Sequence, residues 1–154
     1  MDEVTYRMRL VNGFLSEARQ DLDLERWRSC VDNSQLTVEN AAKAALALLG
    51  PVSKTHNPAG LLRRALADSR FPQEIVAWVT DLAQNAELMG HDVHMDTDYG
   101  SEVNWRTPWE LFGESDAQQA FSIAENAAEL AHQVVDNYAQ ASDDDPTTLR
   151  EGET

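Results

Sequence analysis

The residues of this chain with the most chemistry in them fall in two short stretches and one isolated arginine. The first stretch is Ser53-Lys54-Thr55-His56, directly ahead of Asn57-Pro58. Asn is a favoured helix cap and Pro a favoured first helical residue, so a helix is predicted to start there. The free N–H groups of a helix start attract anions, and an ammonium and an imidazole beside them suit a phosphate. Lys54 and His56 are therefore candidate nucleotide-binding residues, against the alternative of a surface loop that only caps the helix. The second stretch is His91-Asp92-Val93-His94-Met95-Asp96-Thr97-Asp98. Its imidazoles and carboxylates have spacings that could suit zinc, nickel or manganese. Without a third fixed partner no metal is assigned, and His91, His94 and Asp96 stand as candidates against a polar, solvated loop. Arg106 lies between Trp105 and Trp109. An arginine among aromatics can stack on a base or contact a phosphate, but large aromatics mostly pack. Both tryptophans are expected to anchor this segment to the helices.

Other chemistry is missing from the sequence. It carries no Ser/His/Asp arrangement, Gly-rich phosphate loop or paired-carboxylate signature, and Glu125 and Glu129 read as a solvated pair one helical turn apart. The single cysteine, Cys30, excludes an intrachain disulfide and a Cys-based zinc site. Its place on an apolar stripe makes it a buried thiol. The net charge is −15, from 12 Lys+Arg against 27 Asp+Glu. Binding to nucleic acid is driven by counterion release at a basic face, so nucleic acid is an unfavoured partner. The charge suits solubility or a basic protein partner.

These residues need elements to position them. The 154 residues, 42% of them hydrophobic and four of them Trp, fit one folded domain with a real core. Val4, Met8, Val11, Leu15, Ala18 and Leu22 recur at helical spacing. Leu24, Trp27, Val31, Ser34, Val38, Ala42, Ala45 and Leu49 repeat it in a second, longer helix that stops at Gly50-Pro51. On that helix Glu39 and Lys43 are expected to pair on the surface. A short third helix spans roughly 58–67, a fourth starts at Pro72, and a fifth is capped by Ser115-Asp116 and buries alanines up to Tyr138. Trp27 and Trp78 fall on apolar stripes and are read as core or dimer-interface residues, and His132 as a buried or boundary histidine. Gly90–Gly113 reads as irregular, with room for a helical turn at Thr107-Pro108. The fold expected is all-α, an up-and-down bundle of about five helices over residues 1–140. Residues 141–154 read as an acidic, disordered tail. No apolar run approaches the ~20 residues of a membrane span, and the first residues lack a signal-peptide core, so a cytoplasmic protein is expected.

The order of these pieces resembles the HEPN domain family over roughly residues 4–138. Glu39-Asn40-Ala41-Ala42-Lys43-Ala44 is similar to the family's Glu-x-x-x-Lys-Ala stretch. Lys54-Thr55-His56-Asn57 with Leu61-Leu62 is similar to its Lys-x-His-(Asp/Asn)…Leu-Leu segment, and Thr97-Asp98-Tyr99-Gly100 sits where many members carry Arg-Tyr-Pro. Many members of the family are metal-independent ribonucleases built on an Arg separated from a His by four to six intervening residues. No Arg stands at that spacing before His56, His91, His94 or His132, so catalysis of that kind is not expected. The resemblance instead implies a non-catalytic HEPN protein, a homodimer, working with a minimal nucleotidyltransferase as a toxin–antitoxin-like or nucleotide-transfer module. In some such pairs a HEPN tyrosine accepts the nucleotide, and Tyr99 is the candidate acceptor here. The usual Arg-x4-His-x-Tyr context of that tyrosine is missing. Two alternatives stay open: an atypical ribonuclease using His56 or His91, and a module that binds a nucleotide such as ATP or GTP through Lys54, His56 and Arg106.

Overall fold

The computed structural model describes residues 1–143. They form seven α-helices: α1 (Glu3–Asp23), α2 (Trp27–Ala47), α3 (Pro58–Ala67), α4 (Val76–Leu88), α5 (His91–Tyr99), α6 (Pro108–Leu111) and α7 (Glu114–Asp143). A single 3-10 turn, Gln73–Ile75, leads into α4. The described residues form no strand, only an isolated antiparallel bridge between Ser101 and Arg106.

The helix ends follow local chemistry. Asp2 caps α1 by accepting from the Thr5 N–H at 2.8 Å, and that bond holds its carboxyl below the usual range. Between α1 and α2 the chain reverses in three residues, with Glu25 left-handed at φ 59° and the Arg26 N–H returning to the Asp21 carbonyl. So short a turn makes α1 and α2 antiparallel neighbours. Pro58 is the first residue of α3, as the sequence predicts. Asn57 occupies the cap position, but its side chain makes no capping bond. Its own N–H instead donates to the Thr55 hydroxyl. Thr107 and Pro108 open α6 as expected, and Gly50 at φ 145° precedes Pro51 after α2.

Helix α2 is the axis of the molecule: α1, α3, α4, α5, α6 and α7 all touch it. Its alanines 41, 42, 44 and 45 are buried, as are alanines 117, 124, 127 and 131 of α7, which packs on it. Methyl-sized side chains on both helices permit close approach. These alanines lie inside the bundle and are not available to a second copy. Val38, Leu62, Ile75, Val79, Leu82 and Val134 complete the fully buried core, each worth about 1.5–3 kcal/mol when taken out of water. Cys30 is buried here too, and desolvation pushes its thiol up to about 11.

Several expectations change. Leu24 follows the end of α1 and is exposed, so it is not part of the α2 stripe. Because α2 is surrounded, Glu39 and Lys43 pair in the interior, not on the surface. His132 is exposed and meets Asn12 at 3.2 Å, and Glu125 is ion-paired with Arg19. Trp27 and Trp78 are half-buried against the core. Helix α7 starts at Glu114, ahead of Ser115-Asp116, and its N-terminal N–H groups are met differently: the Asp116 carboxylate accepts from the Gly113 N–H. It continues to Asp143, with Ala141 buried, and the rest of the acidic tail lies outside the described residues. The segment read as irregular contains α5, which has no apolar periodicity to announce it. The guanidinium of Arg28 on α2 holds α5 by donating to the Thr97 carbonyl at 2.7 Å.

Candidate functional site

The polar residues of α2 form a stripe: Arg28, Asp32, Gln35, Glu39 and Lys43, spaced by three or four. One side of a helix repeats at that interval. Because α2 is central, much of this stripe is enclosed: Gln35, Glu39 and Lys43 are buried, and the side-chain Oε1 of Gln35 has no hydrogen-bond partner. At one end, the two carboxylate oxygens of Glu39 divide their work. One faces the Lys43 ammonium at 3.4 Å and the other faces His56 Nδ1 at 3.6 Å.

His56 in turn stacks on His94 of α5, with ring centroids 5.9 Å apart and planes 11° from parallel. His94 lies between two carboxylates, Asp32 at 3.9 Å and Asp98 at 3.7 Å. The buried Thr97 hydroxyl reaches Asp32 at 3.2 Å and the His94 carbonyl at 2.8 Å. Arg28 closes the row, 4.0 Å from Asp98 and 5.6 Å from the centre of the Trp109 ring. The result is a seam where α2, the loop before α3 and α5 meet. It holds two imidazoles, three carboxylates, one ammonium and one guanidinium. Such a seam sets imidazoles against carboxylates at ion-pair distance, and its carboxylates oppose the approach of a phosphate.

Of the residues singled out in the sequence, His56 and His94 are brought together and Lys54 is exposed on the same loop as His56. The narrow crevice that His56 lines with Gln35, Glu39, Pro58, Ala86, Met89 and Gly90 includes neither Lys54 nor Arg106. Arg106 is turned back on its own segment, donating to the Glu110 carbonyl. Tyr99 ends α5 and is 62% exposed. His94 and Asp96 stand two positions apart on a helix, a spacing that does not share a face. Among the described residues no group of three or more His, Cys, Asp or Glu is arranged to hold a metal ion. Trp105 does not anchor its segment, being 88% exposed, and Trp109 is 73% exposed, its ring meeting the α2 side chain of Arg28. Sequence reasoning missed Arg28, Asp32, Gln35 and Thr97. The helical spacing of the first three with Glu39 and Lys43 was the signal that could have found them.

The comparisons with known proteins agree with this architecture. The family model of the HEPN domain matches residues 7–134. This chain belongs to the HEPN domain family. Among solved structures it is similar to the protein TT1696 from Thermus thermophilus, with a TM-score of 0.63 and 17% identity over 87% of this chain and 99% of that one. At that identity the likeness is one of fold. No curated protein matches the chain by sequence. No helix of the described residues is long and apolar enough to cross a membrane.

Proposed function

We propose that this HEPN protein is the acceptor half of a two-protein module whose other half is a nucleotidyltransferase, with Tyr99 as the accepting residue. One observation carries the reading: Tyr99 presents its ring to solvent at the end of a helix fixed to the core, next to Gly100. The reaction would form a bond from the tyrosine oxygen to the α-phosphorus of a nucleoside triphosphate. The bridging α–β bond breaks, pyrophosphate leaves, and the phenolic proton passes to a base. The HEPN chain contributes position and an acidic surface, and the partner contributes the nucleotide site. Intact mass tests this on protein made alone and together with a nucleotidyltransferase encoded beside it. The expected result is a gain of one or more nucleotidyl groups with the partner present, abolished by Tyr99→Phe. An unchanged mass in both samples would end the acceptor reading.

A second reading, a ribonuclease without the family's Arg/His motif, is favoured by the stacking of His56 on His94. Two adjacent imidazoles can supply a base for the 2′-hydroxyl and an acid for the leaving oxygen. The three carboxylates around them oppose an RNA phosphate. Cleavage of single-stranded RNA in EDTA, lost in both His56→Ala and His94→Ala, would establish this reading over the first.

A further inference from the structure

Large apolar side chains in water are unevenly distributed over this molecule. Met95, Tyr99, Val103, Trp105 and Trp109 are all among the exposed ones, and they fall within fifteen consecutive residues, 95–109. Val103 is 90% exposed. Single exposed apolar residues mean little, but five within fifteen residues, two Trp and a Tyr among them, have the composition of interface hot spots.

The segment that carries them is built to be rigid. Ser101 and Arg106 exchange two backbone hydrogen bonds, at 2.8 and 2.9 Å. Gly100, at φ 69°, sits so close beneath the returning chain that a Cβ there would lie 2.2 Å from the Arg106 carbonyl oxygen. Trp105 itself is left-handed, at φ 54°, a conformation that disfavours a bulky residue. The indole on this left-handed residue stands out in solvent. Beside it, Trp109 forms one wall of a cleft of about 420 Å³ with Trp27, Phe112, Arg26, Arg28, Glu25 and Ser29.

The charge around these side chains decides what could cover them. Asp92, Asp96, Asp98, Glu102 and Glu110 lie in or beside the segment and outnumber the cations near them: Arg106, occupied by the Glu110 carbonyl, and Arg26 and Arg28 of the cleft, with Arg28 4.0 Å from Asp98. A second copy of this chain would bring the same acidic rim and a further net charge of −15 to the contact. A partner with an apolar surface ringed by Lys and Arg would meet complementary charge. We infer that the hairpin between α5 and α6 is a preformed docking surface for a basic heterologous protein, with Trp105 and Val103 as the apolar anchors and the carboxylates as the rim. This inference stands whether or not Tyr99 accepts a nucleotide.

The test is photo-crosslinking of the full chain in the cells that produce it, with Trp105→p-benzoylphenylalanine and, as control, Tyr6→p-benzoylphenylalanine. Tyr6 is on α1, which packs on α2 and α7 but not on α5 or α6. The expected result is an adduct at position 105 only, with a basic segment of another protein. That protein, purified, should bind the unmodified chain. Trp105→Ala should weaken binding about tenfold or more, Trp105→Phe should restore most of it, and binding should fall as salt rises from about 0.05 to about 0.5 M. An adduct with this chain alone, an adduct with nucleic acid, equal adducts at both positions, or no adduct would each overturn the inference. If the adduct is with a basic protein while the intact mass stays unchanged with the nucleotidyltransferase present, the docking surface stands and the nucleotide-transfer reading falls. A nucleotidylated Tyr99 without an adduct at 105 gives the reverse.

Discussion

The central helix and the hairpin between α5 and α6 divide polar and apolar side chains in opposite ways. Along α2, Gln35, Glu39 and Lys43 are enclosed. In the hairpin, Val103 and Trp105 stand in water. Each arrangement is unfavourable taken alone, and each is held by its surroundings. The buried charges are held by one another and by His56, and the exposed aromatics by a clamped backbone. The difference is one of role. A buried ion pair contributes little net stability but is costly to break, and the second oxygen of Glu39, facing His56, is what ties α2 to the loop before α3. An exposed apolar anchor contributes nothing to the isolated fold and becomes favourable only when covered.

The most sensitive test of that contrast is Lys43. Its ammonium and the Glu39 carboxylate keep about a tenth of their side-chain surface. Lys43→Ala leaves the carboxylate buried with His56 as its remaining partner, and should destabilise the protein by about 3 kcal/mol. Denaturant unfolding measures this. Replacing both residues, with Glu39→Leu and Lys43→Met, should recover most of the loss. If the single variant is as stable as the parent, the pair is solvated and the enclosed seam is wrong.

Where the sequence was readable, periodicity was the reason. The stripes of α1, α2, α4 and α7 name the core, and Gly50-Pro51 and Asn57-Pro58 mark helix ends correctly. Helix α5 was illegible because it is held by polar contacts from Arg28 and Asp32, and those leave no apolar repeat. Burial of Glu39 and Lys43 was illegible for a related reason. An i,i+4 acid–base pair looks the same on an outer helix and a central one, and only the number of neighbours around α2 distinguishes them. The site was half legible. The place of His56 before a helix start marks it in the sequence, but His94 looks there like a metal candidate, because nothing local says that its ring meets His56 and Asp32. The tryptophans mislead in the other direction: size favours burial, and the left-handed backbone at Trp105 does not show in a sequence.

Gly100 tests the other half of the comparison. An alanine there would put its Cβ 2.2 Å from the Arg106 carbonyl oxygen, on a backbone at φ 69°. Gly100→Ala should open the hairpin at a local expense of about 2 kcal/mol while the core remains folded. Hydrogen exchange reads this directly: the Ser101 and Arg106 amides should lose protection, and amides of α2 should keep theirs. Loss of protection throughout would mean that the hairpin supports the core.

Cys30 gives a smaller effect with a defined sign. Its thiol is raised from 9.0 to about 11 by burial, so folding favours the neutral form. That contribution is complete below pH 9 and is lost as pH rises through 11. Thiol-directed reagents at about pH 8 should therefore label Cys30 only through unfolding. Rapid labelling of the native protein would show an open path into the core beside α7, whose Ala117 carbonyl accepts from the sulfur at 3.7 Å.

The smallest effect should come from the largest exposed side chain. Trp105→Ala removes an indole that is 88% in solvent, so it forfeits almost no buried area and should change unfolding free energy by less than about 0.5 kcal/mol. Alanine keeps the Cβ that makes the left-handed position unfavourable, so no compensating gain is expected there. A drop of more than about 1 kcal/mol would show that Trp105 packs in the free protein, since surface changes away from any structural feature stay well below that. The hairpin would then be a structural clasp, and the opposition between a self-supporting interior and an outward-facing anchor would disappear. A neutral result in the free chain, set beside weakened capture of a basic partner, is the pattern that opposition requires.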